Sequence, residues 1–206
     1  MRKTKIILSI TILVIIMASV VIIKNNSSKF KNDTLEKAIE DYYSKNLPEN
    51  KGELKINTIK EIDDGYLALV EKNYGEGEPY STLFLLNKEK EIVSMTSGNI
   101  PISPGFSVNS LEYNDSNIIF GTINDSKMNG INEVGRIGID VSEIKLEFTD
   151  GEELTDKTIE NRSYIMIVPK KDIKDILLYN SKNELQDRMS DYDWGNFINN
   201  VKLQGV

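Results

Sequence analysis

The sequence predicts an α+β, mostly β chain: an N-terminal transmembrane helix, then one helix with a four-strand antiparallel meander, then an Ig-like β-sandwich. Three observations predict this. Residues 6–23, IILSITILVIIMASVVII, carry no charge over 18 positions. One segment, 33–46, repeats its apolar residues at helical spacing. From residue 53 onward apolar residues fall in short runs, cut by Asn, Asp and Gly roughly every ten residues, as in antiparallel sheets.

The uncharged run comes first. As a helix it is about 27 Å long, against a bilayer core of roughly 30 Å. Ile, Leu and Val dominate it, and Ser9, Thr11 and Ser19 can bond back to the helix backbone. Arg2, Lys3 and Lys5 precede it and mark a cytoplasmic N-terminus. Lys24, Lys29 and Lys31 follow and weaken the asymmetry, but long downstream domains cross largely regardless of charge. Residues 1–23 are thus expected to be a cytoplasmic head and signal anchor in the cell membrane, with residues 24–206 extracytoplasmic. The rival reading is a cleaved signal peptide. It needs small residues in an A-x-A pattern, whereas Ile16 stands two before Ala18 and apolar residues run on to Ile23. With no cysteine in the chain, a lipid-modified N-terminus is excluded.

Residues 24–32, KNNSSKFKN, read as a polar tether. A small α+β domain is expected over 33–97. Asp33 and Glu36 form a capping box, and Leu35, Ala38, Ile39, Tyr42 and Tyr43 share a helical face until Asn46 and Pro48 end it. Strands are expected at 53–62, 66–72, 80–86 and 91–96. In the first, alternation breaks between Ile56 and Ile59, which predicts a bulge. Asp63-Asp64-Gly65 is a hairpin turn by composition.

Residues 97–107, SGNIPISPGFS, hold two prolines and two glycines and read as a boundary. The sandwich is expected over 108–188, with strands at 108–113, 117–123, 133–141, 144–149, 155–160, 163–168 and 175–179. Turns fall at Asn114-Asp115, Asn124-Asp125, Asn129-Gly130, Asp150-Gly151 and Asn180–Asn183. Tyr164, Met166 and Val168 alternate with Ile165 and Ile167, so this strand should be covered on both faces. The tail, 189–206, carries a helical stripe of Trp194, Phe197, Ile198 and Val201, weakened by Gly195. A stripe of that kind more often packs inward than docks a partner.

Composition narrows the function. Beyond the anchor 22 basic and 32 acidic residues remain, a charge near −10. Nucleic acid needs clustered Lys and Arg and is disfavoured as a partner. The chain has no cysteine and no histidine, which removes disulfides, thiolate chemistry, the Ser-His-Asp triad and the usual zinc ligands.

The remaining motifs fall short of chemistry. Asp191-Tyr192-Asp193 places glycine at the fifth position and Lys202 at the twelfth of a calcium loop. The run from Asp125 places Lys127 third and Arg136 twelfth. Neither matches the ligand spacing. Gly75 and Gly77 lack a following helix and do not cradle phosphate. Asp63-Asp64 and Glu152-Glu153 are turn residues first, because glycoside hydrolysis needs facing carboxylates rather than adjacent ones. The sequons at Asn114, Asn124 and Asn161 matter only in a eukaryotic secretory route. No catalytic, cofactor-binding or metal-ligating residue is assigned, and no cofactor is expected.

The anchor, the helix with its meander, and the strand run from Asn117-Ile118-Ile119-Phe120-Gly121 together resemble uncharacterised single-span anchored extracytoplasmic proteins of low-GC Gram-positive bacteria. The resemblance implies an envelope setting and no particular activity. The leading expectation is a non-enzymatic binding or protein-interaction module, with an envelope protein or wall polymer as partner. The alternatives are an envelope hydrolase using carboxylates or a Ser/Lys nucleophile, and the outer part of a sensor or regulatory complex.

Overall fold

The computed structural model describes residues 34–46, 53–72, 80–99, 104–129 and 135–192. The expected membrane span, the tether and most of the C-terminal stripe lie outside the described residues. Among the described residues no helix is long and apolar enough to cross a membrane. The chain divides into two compact units, Met1–Pro48 and Glu49–Val206.

In the first unit, residues 34–46 form a helix, α1. Leu35, Ile39 and Tyr43 are buried, and Ala38 and Tyr42 are half-buried, so the predicted stripe is the covered one. The Asn46 side-chain amide donates to the Tyr42 carbonyl at 2.8 Å and occupies one of the acceptors a helix end leaves open.

In the second unit the described strands all pair antiparallel. β1 (Leu54–Ile62), β2 (Gly65–Lys72), β3 (Tyr80–Asn87) and β4 (Ile92–Asn99) form a meander in that order. The predicted bulge is present: the register with β2 shifts between Ile56 and Thr58, leaving Asn57 as the extra residue.

A central sheet has the order β11 (Ser163–Pro169), β6 (Ser116–Thr122), β5 (Asn109–Tyr113). A third sheet has the order β10 (Glu153–Asp156), β9 (Glu143–Phe148), β12 (Ile173–Tyr179), β13 (Leu185–Arg188). β7 (Ser126–Met128) and β8 (Arg136–Gly138) make a separate two-stranded hairpin, and a 3-10 turn, η1, covers Met189–Asp191.

Two side-chain layers hold these sheets together, and the central sheet contributes to both. Toward the meander it presents Ile118, Phe120 and Ile165, which pack with Leu67, Leu69 and Leu83. Toward the third sheet it presents Ile119, Tyr164, Met166 and Val168, which pack with Ile144, Leu146, Phe148, Ile176 and Leu178. β11 is therefore covered on both faces, as its unbroken apolar run requires. The expected boundary at 97–107 falls inside the second unit, and its first residues, Ser97–Asn99, continue β4.

Two expectations are corrected. The strand expected at 133–141 is, within the described residues, the three-residue β8, which pairs with β7 and joins no larger sheet. Its apolar residues are split by Gly135 and Gly138; Ile139 is buried in the core and Val141 packs against it half-buried. β13 takes its place as a sheet strand. Its sequence, LQDR, is short and half charged and has no apolar alternation to reveal it.

Candidate functional site

A buried meeting of ionisable groups lies where β13, η1, β7 and the segment before β5 converge. Asp187 is buried on the inner side of β13, opposite Leu178. Its carboxylate accepts from the Gly105 N–H at 2.7 Å, from Lys127 Nζ at 3.1 Å and from the Tyr192 hydroxyl at 2.9 Å. The site requires glycine at 105, because a Cβ there would lie 2.7 Å from Asp187 Oδ2 and 2.5 Å from Ile139 Cδ1. Lys127 remains 23% exposed, so its charge is partly solvated while that of Asp187 is not.

Burial, then the adjacent Asp187 charge and hydrogen bond, push the Tyr192 hydroxyl above its ordinary range. It keeps its proton and acts as a donor rather than a base. With three donors on one carboxylate, the node fastens three segments of chain; it has no spare acceptor positioned as a general base.

A second buried carboxylate, Asp175, sits on the outer side of β12, where the register with β9 shifts between Ile173 and Asp175. It accepts from both Arg188 Nε and Nη2, from the Ser190 N–H and hydroxyl, and from the Ile176 N–H. Both guanidinium donors converge on one oxygen, Oδ2, and the opposite charges strengthen the two bonds, while Oδ1 takes the two backbone N–H groups. The hydrogen bond to Asp175, then its charge, raise the Arg188 pKa further.

A third polar region lies between the meander and the central sheet. Across the central sheet, Ser107, Thr122 and Ser163 stand side by side and are buried. Ser107 and Thr122 bond each other at 3.2 Å, whereas the Ser163 hydroxyl has no partner among the described residues. Facing this row, Thr58 donates to Glu160 at 3.2 Å, and the Asn161 amide donates to the Asn57 carbonyl at 2.7 Å. Asn161 and Arg162 both take left-handed backbone, turning the chain between Glu160 and Ser163. The Asn57 side-chain amide at the bulge is buried and also lacks a partner among the described residues.

The residues weighed in the sequence are dispersed. Asp63 and Asp64 occupy the β1–β2 turn, where Asp64 accepts from Tyr113 at 3.5 Å. Glu152 pairs with Lys171 at 2.7 Å and Glu153 with Lys145 at 3.1 Å, so these neighbours point to different cations. Asp125 meets Arg162 at 3.0 Å and Asp191 meets Arg188 at 4.0 Å. Among the described residues no group of three or more Asp or Glu side chains is arranged to hold a metal ion. Sequence reasoning missed Asp175 and Asp187. The signal was an aspartate within a sheet strand, a setting in which Asp is depleted unless something holds it.

No protein-family model, curated protein or solved structure matches the chain.

Proposed function

We propose that this chain is a membrane-anchored extracytoplasmic module that binds another envelope component and performs no reaction of its own. The observation that carries the reading is the uncharged run at residues 6–23, with Arg2, Lys3 and Lys5 before it and a strongly acidic chain after it. The use of the buried charges supports it. Asp175 and Asp187 are spent on donors that hold strands together, which suits a rigid scaffold presenting a surface.

The central and third sheets together are read as an Ig-like sandwich. Their seven strands, β5, β6 and β9–β13, pair as fifth–second–first and fourth–third–sixth–seventh. That is the seven-strand immunoglobulin arrangement with the fourth strand moved beside the third. The combination of one span, an acidic outer part and a sandwich fits the resemblance to single-span envelope proteins of low-GC Gram-positive bacteria.

The test is crosslinking of the full-length chain in intact cells, with reporter fusions at its C-terminus. An extracytoplasmic reporter and recovery of one reproducible envelope protein or wall polymer support the reading. A cytoplasmic reporter, or recovery of the bait alone, overturns it.

A further inference from the structure

Among the described residues β4 pairs with β3 on one side only and forms an outer edge of the meander. Its eight residues, IVSMTSGN, include no charged side chain. Val93 is 62% exposed and Met95 39%, two of the five large apolar side chains exposed among the described residues. Natural sheet edges carry charge, proline or bulges that discourage a further strand.

The other outer strands of the three larger sheets are defended in that way. β1 bears Lys55, Lys60, Glu61 and a bulge; β5 bears Glu112; β10 bears Glu153 and Asp156; β11 ends on Pro169; β13 bears Asp187 and Arg188. β4 has only the register shift at its start, between Leu85 and Leu86. From Ser94 onward it follows β3 residue by residue. Near its end Gly98 lies against the Asn109 side chain, so the open stretch runs from Ile92 to Ser97.

We propose that β4 is a self-association edge: two copies pair their β4 strands antiparallel about a two-fold axis, joining two four-stranded sheets into one of eight. A second copy is the occupant because of charge. Each chain carries a net charge of −7, so copies must meet where no like charges are opposed. Among the described outer strands of the three larger sheets, β4 and β11 have no charge to oppose, and β11 is buried from Ser163 to Met166 and at Val168 and ends on Pro169, which leaves β4. A strand placed antiparallel to its own copy makes an isologous contact, the kind that closes on itself as a dimer. Val93 and Met95 then lose their exposure against the copy's edge. Confinement to one membrane raises the effective concentration of copies, an argument that rests on the anchored reading above.

The absence of native cysteine makes the test direct. Ser94→Cys, Met95→Cys and Thr96→Cys are made singly in the full-length chain, oxidised in membranes, and resolved without reductant. A disulfide forms only where Cα atoms approach within about 7 Å. One or two of these positions should therefore yield covalent dimer, while Leu185→Cys on β13 should yield at least tenfold less. Adding Met95→Lys to the Ser94→Cys chain should cut the dimer at least tenfold, and Val93→Lys, placed outside the ladder, should do the same. The proposal is overturned if Leu185→Cys crosslinks as well as the β4 positions, if the lysines leave the dimer unchanged, or if no β4 position crosslinks. If the chain is recovered as a soluble protein, the anchored reading fails and the same variants still test the edge in concentrated solution.

Discussion

The Tyr164 hydroxyl donates to the Ser107 carbonyl at 2.7 Å, passing over Gly121, its neighbour on β6. This bond reroutes the local ladder. Ser107 still donates its N–H to the Thr122 carbonyl at 2.9 Å, but the Thr122 N–H bonds to Ser107 Oγ at 2.9 Å, leaving the Ser107 carbonyl to Tyr164. Glycine at 121 makes room, since a Cβ there would lie 2.0 Å from the Ser107 oxygen.

Tyr164→Phe should therefore lower the urea midpoint without changing the slope, by about 2 kcal/mol for a buried carbonyl left unpaired. Gly121→Ala should cost more than Tyr164→Phe, because it displaces main chain. Burial raises the Tyr164 pKa above the ordinary phenol range. Above about pH 10 an unfolded tyrosine releases a proton that the folded one retains, so stability falls as pH rises. Tyr164→Phe should show a shallower alkaline loss between pH 10 and 11 than the parent, and an identical slope would mean that the hydroxyl is solvated.

At the Asp187 node the carboxylate should matter more than the ammonium. Asp187→Ala strands the Gly105 N–H, the Tyr192 hydroxyl and Lys127 together, at a cost of about 3 kcal/mol. Lys127→Met leaves two of the three donors in place and removes a partly solvated charge, so about 1 kcal/mol is expected. Equilibrium urea denaturation of both variants gives the order directly.

The unpaired Ser163 hydroxyl makes the opposite prediction. Ser163→Ala removes a buried polar atom with no partner among the described residues and leaves its neighbours' bonds intact. The expected result is a gain of about 1 kcal/mol. A clear loss on chemical denaturation would show that the hydroxyl is held by bound water.

Asp150 offers a titration test. Its hydrogen bond from Lys171 at 2.7 Å, then that from the Glu152 N–H at 3.0 Å, hold its carboxyl below the ordinary carboxylate value. A lowered folded-state pKa contributes stability that is complete above the unfolded value, about 3.9, and is lost as pH falls through the lowered one. Carboxyl-carbon NMR should place the Asp150 midpoint below that reference, and Lys171→Met should move it back up.

Much of the fold was legible because burial imposes simple periods. The break between Ile56 and Ile59 marked a real bulge, and five consecutive apolar residues from Tyr164 to Val168 marked a strand covered twice. What stayed hidden did not depend on period. β13 is recruited by Asp187 and Arg188, whose partners lie as far away as residue 105, so no local pattern announces it. The polar region failed to show for the same reason: Thr58 and Glu160 are 102 positions apart in the chain and Asn57 and Asn161 are 104 apart, and their juxtaposition follows from the stacking of two sheets.

The middle position of the sheet made by β5, β6 and β11 has a consequence for biosynthesis. Its outermost member toward β1 is not translated until residues 163–169, long after the meander has emerged. Until then Leu67, Leu69 and Leu83 lack the full surface that covers them in the finished molecule. The early half must wait, sticky and incomplete, for the late half to arrive. Truncation before residue 163 should thus yield an aggregating or proteolysed product, even though every residue of the meander is present.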